Sequence, residues 1–441
     1  MSPYQETLGE GLTLRTLRDE TDASKFTHFN AMVNGAAEGL TCECLLHHHP
    51  DLNYDDYVLV VNDQDDEVVS TTCLIPWRCR FEGIDLKVAM LEMVVTHPQY
   101  RHRGLIRRQI DHYYHPRVQG QGYDLSVIFG IPYYYRQFSY AYAIDLGGYD
   151  SLPAWQIPDI PSGEAPSYSF RAAGVDDLPV LVDLYQAEIS RLDFYTVRDI
   201  RYWRYLLEGA HLPVKIIEHH PNKKPAGYII CRCPSDLTQE QPPEGVPGEG
   251  RSDQRRIEVL ESSIPNQDAA FQTLRMLKDQ SSGEIRLAWP ETSTLVRIAR
   301  SLGSLAFPVY QCLLRITDIA QFLMKLAPVL EKRLASSDCA GISTDLLINL
   351  YRQAFCLRLQ DGRLESIEPV GFVDASMGAD GGDLCIPPEA FTRLVVGFRS
   401  PDELRDAWPD LMIRPGRRHL LDVLFPKRQA YFCMPYNFHG Q

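Results

Sequence analysis

Between Leu86 and Phe129 the local signals run strand, charged loop, helix, strand, and that order narrows the possible folds more than any other feature of the chain. Leu86 to Thr96 is a long, largely apolar run after the turn Glu82-Gly83-Ile84-Asp85, and Pro98 breaks further pairing. The loop through Arg101, His102, Arg103 and Gly104 follows. From there apolar residues recur at helical spacing at Leu105, Ile106, Ile110 and Tyr113. Gly120 and Gly122 end the helix, and Leu125 to Phe129 reads as a short buried strand. Backbone N–H groups at a helix start lack intrahelical partners and sit at the positive end of the dipole. They suit a pyrophosphate, Gly104 lets one approach the backbone, and Arg101 and Arg103 add charge-assisted bonds. On chemistry alone this is an anion site, and an arginine-rich solvated helix start is the plain alternative.

The flanking sequence extends the mixed α/β pattern. Leu12 to Leu17 reads as a strand, Ala23 to Val33 as a helix, and Tyr57 to Val61 with Glu67 to Ile75 as a hairpin. A length of 441 residues exceeds one ordinary core, so two or three domains are expected. Ser151 to Ser167 is a Pro/Ser-rich linker, after which strand, helix and strands recur. Pro234 to Asp253 has little to bury and reads as an exposed insertion. From Leu314 an amphipathic run, short strands and further helices indicate an α+β unit. The expected division is 1–150, 151–313 and 314–441.

Acidic residues outnumber basic ones, 58 to 44, a net charge of −14 that excludes the basic footprint of a nucleic-acid binder. It suits cationic substrates such as amines, or serves solubility alone. No segment approaches the ~18 apolar residues of a membrane span. Met1 to Gly11 is polar, and none of the eleven cysteines forms a C-x-x-C pair, so a reducing, cytoplasmic setting without a metal site is expected. His47-His48-His49 has no Cys or carboxylate at ligand spacing and reads as a solvated loop, and Gly378 to Asp383 lacks the spacing of a calcium loop.

The segment Arg101-His102-Arg103-Gly104-Leu105-Ile106 resembles the acetyl-CoA motif of the GNAT acetyltransferases, R/Q-x-x-G-x-G/A, with Ile106 at the final small position. The resemblance implies that Val94, Val95 and Thr96 on the preceding strand hold the pantetheine arm. Downstream, Gly130-Ile131-Pro132-Tyr133-Tyr134-Tyr135-Arg136-Gln137-Phe138-Ser139-Tyr140 is similar to the family pattern G-x-P-x-Y-Y-x-R-F-G-F. Gln137 replaces the usual Arg and Ser139 the usual Gly. The tyrosine matching Tyr135 implies a proton donor to the departing thiolate, a role a phenol can fill.

The whole-chain plan resembles the enhanced-intracellular-survival (Eis) acetyltransferases, most specifically across Val94 to Tyr140. That implies an α+β chain: an N-terminal GNAT fold, a second GNAT-like domain without a cofactor loop, and a C-terminal sterol-carrier-like domain. It further implies an acetyl-CoA-dependent N-acetyltransferase acting on a polyamine-, aminoglycoside- or lysine-like amine, and a homo-oligomer, often hexameric in that branch. There the terminal carboxylate is the base, which falls here on Gln441; the aromatic run Tyr431 to Phe438 suits a docked tail. Glu92, among apolar neighbours on the strand before the loop, is the competing base. A non-catalytic acyl-CoA- or lipid-binding sensor is the alternative, and turnover separates the two.

Overall fold

The computed structural model describes residues 3–146, 148–160, 163, 165–232, 256–281, 283–288, 290–307, 310–376 and 381–431. Three sheets carry the fold. The first contains β1 (Gln5–Gly9), β2 (Leu12–Thr16), β3 (Tyr57–Asn62), β4 (Val68–Phe81), β5 (Ile84–Thr96), β6 (Leu125–Ile128) and β7 (Ala141–Leu146). Strands β1 to β6 are neighbours in chain order, but Tyr310–Ile316 lies between β6 and β7, and Phe194–Thr196 pairs with β4. The first sheet therefore draws strands from far beyond residue 150, and the boundary expected at 313/314 falls inside one of them.

The pairing of β5 is what opens a site. It is antiparallel to β4 along its whole length but parallel to β6 only over Val88–Leu125, Ala89–Ser126 and Met90–Val127. Past Met90 the two parallel strands diverge, leaving one edge of β5 without a strand partner among the described residues. A bulge at Met93, where φ is +53°, sharpens the local twist. The Thr71 hydroxyl donates to the Met93 carbonyl at 3.0 Å and steadies that bulge.

Two helices cover the start of this sheet. Asp19 caps α1 (Glu20–Asn34) by accepting from the Thr21 and Asp22 N–H groups. Gly35, at φ +102°, permits the sharp turn into α2 (Ala36–His48). The histidine triplet is thereby corrected: His47 and His48 end a helix, and His49 is buried against the rings of Tyr202 and Tyr205.

The second sheet runs Leu305–Phe307, Tyr149–Pro153, Glu284–Leu287, Ile257–Ser263, Lys224–Arg232, Val214–His219 and Tyr168–Ala172. Its only described parallel pair again flanks a helix, Gln267–Gln280. Tyr149–Pro153 is a strand, so the segment expected as a linker begins inside this sheet. The third sheet has five strands packed with helices that include Ala327–Ala335, Pro388–Val395 and Arg418–Leu424. The expected insertion Pro234–Asp253, the chain after Tyr431 with Gln441, and residues 377–380 lie outside the described residues.

Candidate active site

The diverging ends of β5 and β6 frame a slot of about 280 Å³. Val94, Val95 and Thr96 form one wall, Arg101 and Ile106 the loop side, and Tyr134 and Tyr135 the far side. Val33 and Asn34 at the end of α1, with Ile131, close it; the sequence did not mark these three. Buried polar side chains brace the β5 wall. Gln109 donates to the Ser70 hydroxyl at 2.8 Å, and Ser70 donates to the Val95 carbonyl at 2.8 Å. Thr72 donates to Gln109 in turn at 3.2 Å. Gln109 opens a π-helical stretch, Gln109–Tyr114, between α-helical Leu105–Arg108 and His115–Gly120. Single π turns inside α-helices recur at functional sites.

The loop has the form an anion requires. His97 accepts from the Gln99 N–H, so Pro98–Tyr100 makes one tight turn. Arg101, His102, Arg103 and Gly104 are all exposed, whereas Leu105 is buried and Ile106 half-buried. Gly104 sits at φ +73° directly before the helix, and no side chain caps that helix start. A Cβ at Gly104 would meet nothing within 4 Å, so the space before the first helical turn is open. Arg101 donates to the Thr96 carbonyl at 3.4 Å, and Arg103 stacks over the Tyr100 ring at 4.9 Å. These residues fit a pyrophosphate. Ile106 fills part of the slot where the family motif has a small residue.

Tyr135 lies in the turn Tyr134–Phe138, its ring buried with Leu91, Ile110, Phe138 and Tyr140. Burial raises its phenol well above the usual value, and the nearby Glu92 carboxylate adds to the shift. The acid form therefore persists at every physiological pH. Gly130 is required for this placement, because a Cβ there would fall 2.0 Å from Cε2 of Tyr135. Gly130→Ala should displace the ring and lower kcat by about a hundredfold with acetyl-CoA affinity little changed; steady-state kinetics alongside calorimetry checks this. Ser139 adopts the left-handed backbone, φ +65°, which explains why glycine is usual there. Gln137 accepts from Arg107, which also stacks on Phe138 at 4.8 Å; an arginine at 137 would oppose that guanidinium.

Glu92 is half-buried at the start of the divergence, its carboxylate accepting from the Met93 N–H at 3.2 Å. The structure thus brings together Glu92, Val94 to Thr96, Arg101 to Ile106 and Tyr135. Gln441 lies outside the described residues. Tyr431, the last described residue, bridges to Asp145 of β7 and donates to the Ala288 carbonyl at 2.6 Å.

The sequence profile described as the acetyltransferase (GNAT) domain matches residues 33–143. Residues 33–143 are a GNAT acetyltransferase domain. The match contains the slot, its loop and Tyr135, and the chemistry of such a domain is acyl-CoA-dependent acetyl transfer. Solved structures resemble the whole chain. One is a probable N-acyltransferase of Enterococcus faecalis V583: TM-score 0.68, 15% identity, 97% of this chain and 100% of that one. Another is Eis1 of Mycobacterium abscessus: TM-score 0.62, 15% identity, 96% of this chain and 100% of that one. A GCN5-related N-acetyltransferase of Anabaena variabilis gives a TM-score of 0.65 at 14% identity, covering 96% and 99%. At such identities the likeness is one of fold. No curated protein matches the sequence.

Outside the GNAT domain, the fold joins Asp338 and Cys339 to His419 at the surface, with donor atoms within 4.8 Å of one another. The His419 imidazole pairs with Asp338 at 2.6 Å. Their separation in sequence hides this trio from any spacing argument. No helix among the described residues is long and apolar enough to cross a membrane.

Proposed function

We propose that the chain is an N-acetyltransferase that moves the acetyl group of acetyl-CoA directly onto an amine. The slot between β5 and β6 carries this reading, because it sets an open helix start at one end and a buried phenol at the other. Leu105 and Ile106 N–H groups with Arg101 and Arg103 hold the pyrophosphate, His102 and Gly104 shape the loop, and Val94 to Thr96 hold the pantetheine arm. A base takes the ammonium proton, the amine nitrogen attacks the carbonyl carbon, and the C–S bond breaks. Tyr135 gives its proton to the thiolate and is reprotonated as the acetylated nitrogen sheds its second proton. A backbone N–H near Val95 stabilises the carbonyl oxyanion.

Two bases compete: Glu92 and, by resemblance to the Eis enzymes, the carboxylate of Gln441. Deleting Phe438 to Gln441 should lower turnover by orders of magnitude if the tail supplies the base. Full activity in that deletion assigns the proton to Glu92 or to solvent. The Eis-like plan also supports a sterol-carrier-like C-terminal unit, a cytoplasmic setting and a hexamer; light scattering of a clean monomer would remove the last. The deciding assay is coenzyme A thiol release from acetyl-CoA with polyamines, aminoglycosides and lysine-type amines. Amine-dependent release establishes the transferase. Binding without release from any amine favours a sensor.

A further inference from the structure

A cavity of about 830 Å³ lies where the first and second sheets meet the C-terminal third of the chain. Its position follows from register. Leu313 pairs with Ile128 of β6 on one side and with Tyr142 of β7 on the other. β6 and β7 therefore run the same way, and Asp145, three residues past Tyr142, lies at the end of the sheet where β5 and β6 diverge. Two strand spacings, about 10 Å, separate β7 from β6, and Asp145 lies beyond the level of Ile128, where β6 ends.

Asp145 is aimed into this cavity by strain. The pairing of β7 with Tyr310–Ile316 slips between Gln311 and Leu313, and Ile144 beside the slip has φ +70°. A β-branched residue in that conformation is a true outlier, and bulges commonly re-aim a neighbouring side chain beside active sites. Asp145 Oδ1 is buried and has no hydrogen-bond partner among the described residues. Burial raises the Asp145 pKa, partly offset by Arg399 and Lys427.

The other charges of the cavity are mostly committed. Arg300 is held by Asp150 at 3.1 Å and Glu291 at 2.7 Å. Lys427 binds Glu403 at 2.6 Å, and Arg428 binds Glu82 at 2.9 Å. Asp193 accepts from the Gln429 N–H at 2.9 Å. Arg399 stacks on Phe398, 3.8 Å from its centroid, and forms no ion pair among the described residues. One carboxylate and one guanidinium thus face the same space without touching each other.

We propose that this cavity is the acceptor site, where Asp145 takes the α-ammonium and Arg399 the α-carboxylate of a free amino acid whose side-chain amine reaches the acetyl slot. The inference rests on the transferase reading and selects, among its acceptors, lysine and its shorter homologues over polyamines and aminoglycosides.

Equilibrium binding to the full chain, in saturating coenzyme A, tests this without needing turnover. L-lysine should bind at least tenfold more tightly than cadaverine, which lacks the carboxylate, or lysine with both α-groups blocked. Asp145→Asn should weaken lysine at least tenfold with coenzyme A affinity and melting temperature not reduced. Arg399→Gln should weaken lysine but leave cadaverine unchanged, a split that general unfolding would not produce. No lysine binding by the wild-type protein overturns the inference, as does lysine binding that survives Asp145→Asn. Thiol release separates the two conclusions: release with polyamines but no lysine binding removes the acceptor assignment and keeps the transferase.

Discussion

Gly104→Glu is expected to raise the dissociation constant for acetyl-CoA by at least a hundredfold while leaving a folded protein. The left-handed backbone at Gly104 costs a residue with a Cβ about 1–2 kcal/mol, which a protein of this size absorbs. Sterically the fold loses nothing, because a Cβ there meets no atom within 4 Å. Any larger loss must therefore come from the ligand's share of that space, where a carboxylate meets the pyrophosphate with bulk and like charge. Gly104→Ala separates the terms, since it carries the backbone cost without the charge and should bind far better than the glutamate variant. Calorimetry on both, with melting curves, gives the answer. Unchanged affinity in Gly104→Glu would place the cofactor elsewhere.

Tyr135→Phe should lower kcat by about 10²–10⁴-fold and leave acetyl-CoA affinity nearly unchanged, because it removes a proton donor and preserves the ring packing. The pH dependence carries a sign. Burial and Glu92 raise the phenol pKa, so the acid form is fully populated through pH 10 and this group imposes no fall in kcat on the alkaline side. The wild-type profile between pH 6 and 10 should rise with deprotonation of the base and then stay level. A fall beginning near pH 9 would mean that the donor is a different, less buried group.

The parts of the site that the sequence made legible are those whose chemistry is local. Arg101 to Ile106 declares itself through one glycine between arginines at a helix start, and Tyr135 through the resemblance of Gly130 to Tyr140 to the GNAT pattern. What stayed hidden depends on distant pairing. Nothing in Tyr310–Ile316 announces that it will lie between β6 and β7. Nothing in the sequence singles out Asp145, because its direction is set by a slip against that same distant strand. Val33 and Asn34 reach the slot only through the turn at Gly35. The α2 helix was missed because its thirteen residues, Ala36–His48, mix small, polar and thiol side chains with little periodicity. The histidines at its end invited a loop reading.

The arrangement of the first sheet also bears on how the protein is made. β6 and β7 leave the ribosome early, but the strand that separates them ends at Ile316, some 170 residues after Leu146 (316 less 146). At typical synthesis rates the nascent chain exposes two unpaired strand edges for about 10 to 30 s. Such edges invite pairing with each other or with neighbouring chains. Premature β6–β7 pairing would have to be undone before the late strand could enter. Release of truncated chains ending before residue 310 should therefore yield aggregates rather than a free-standing acetyl-CoA-binding domain.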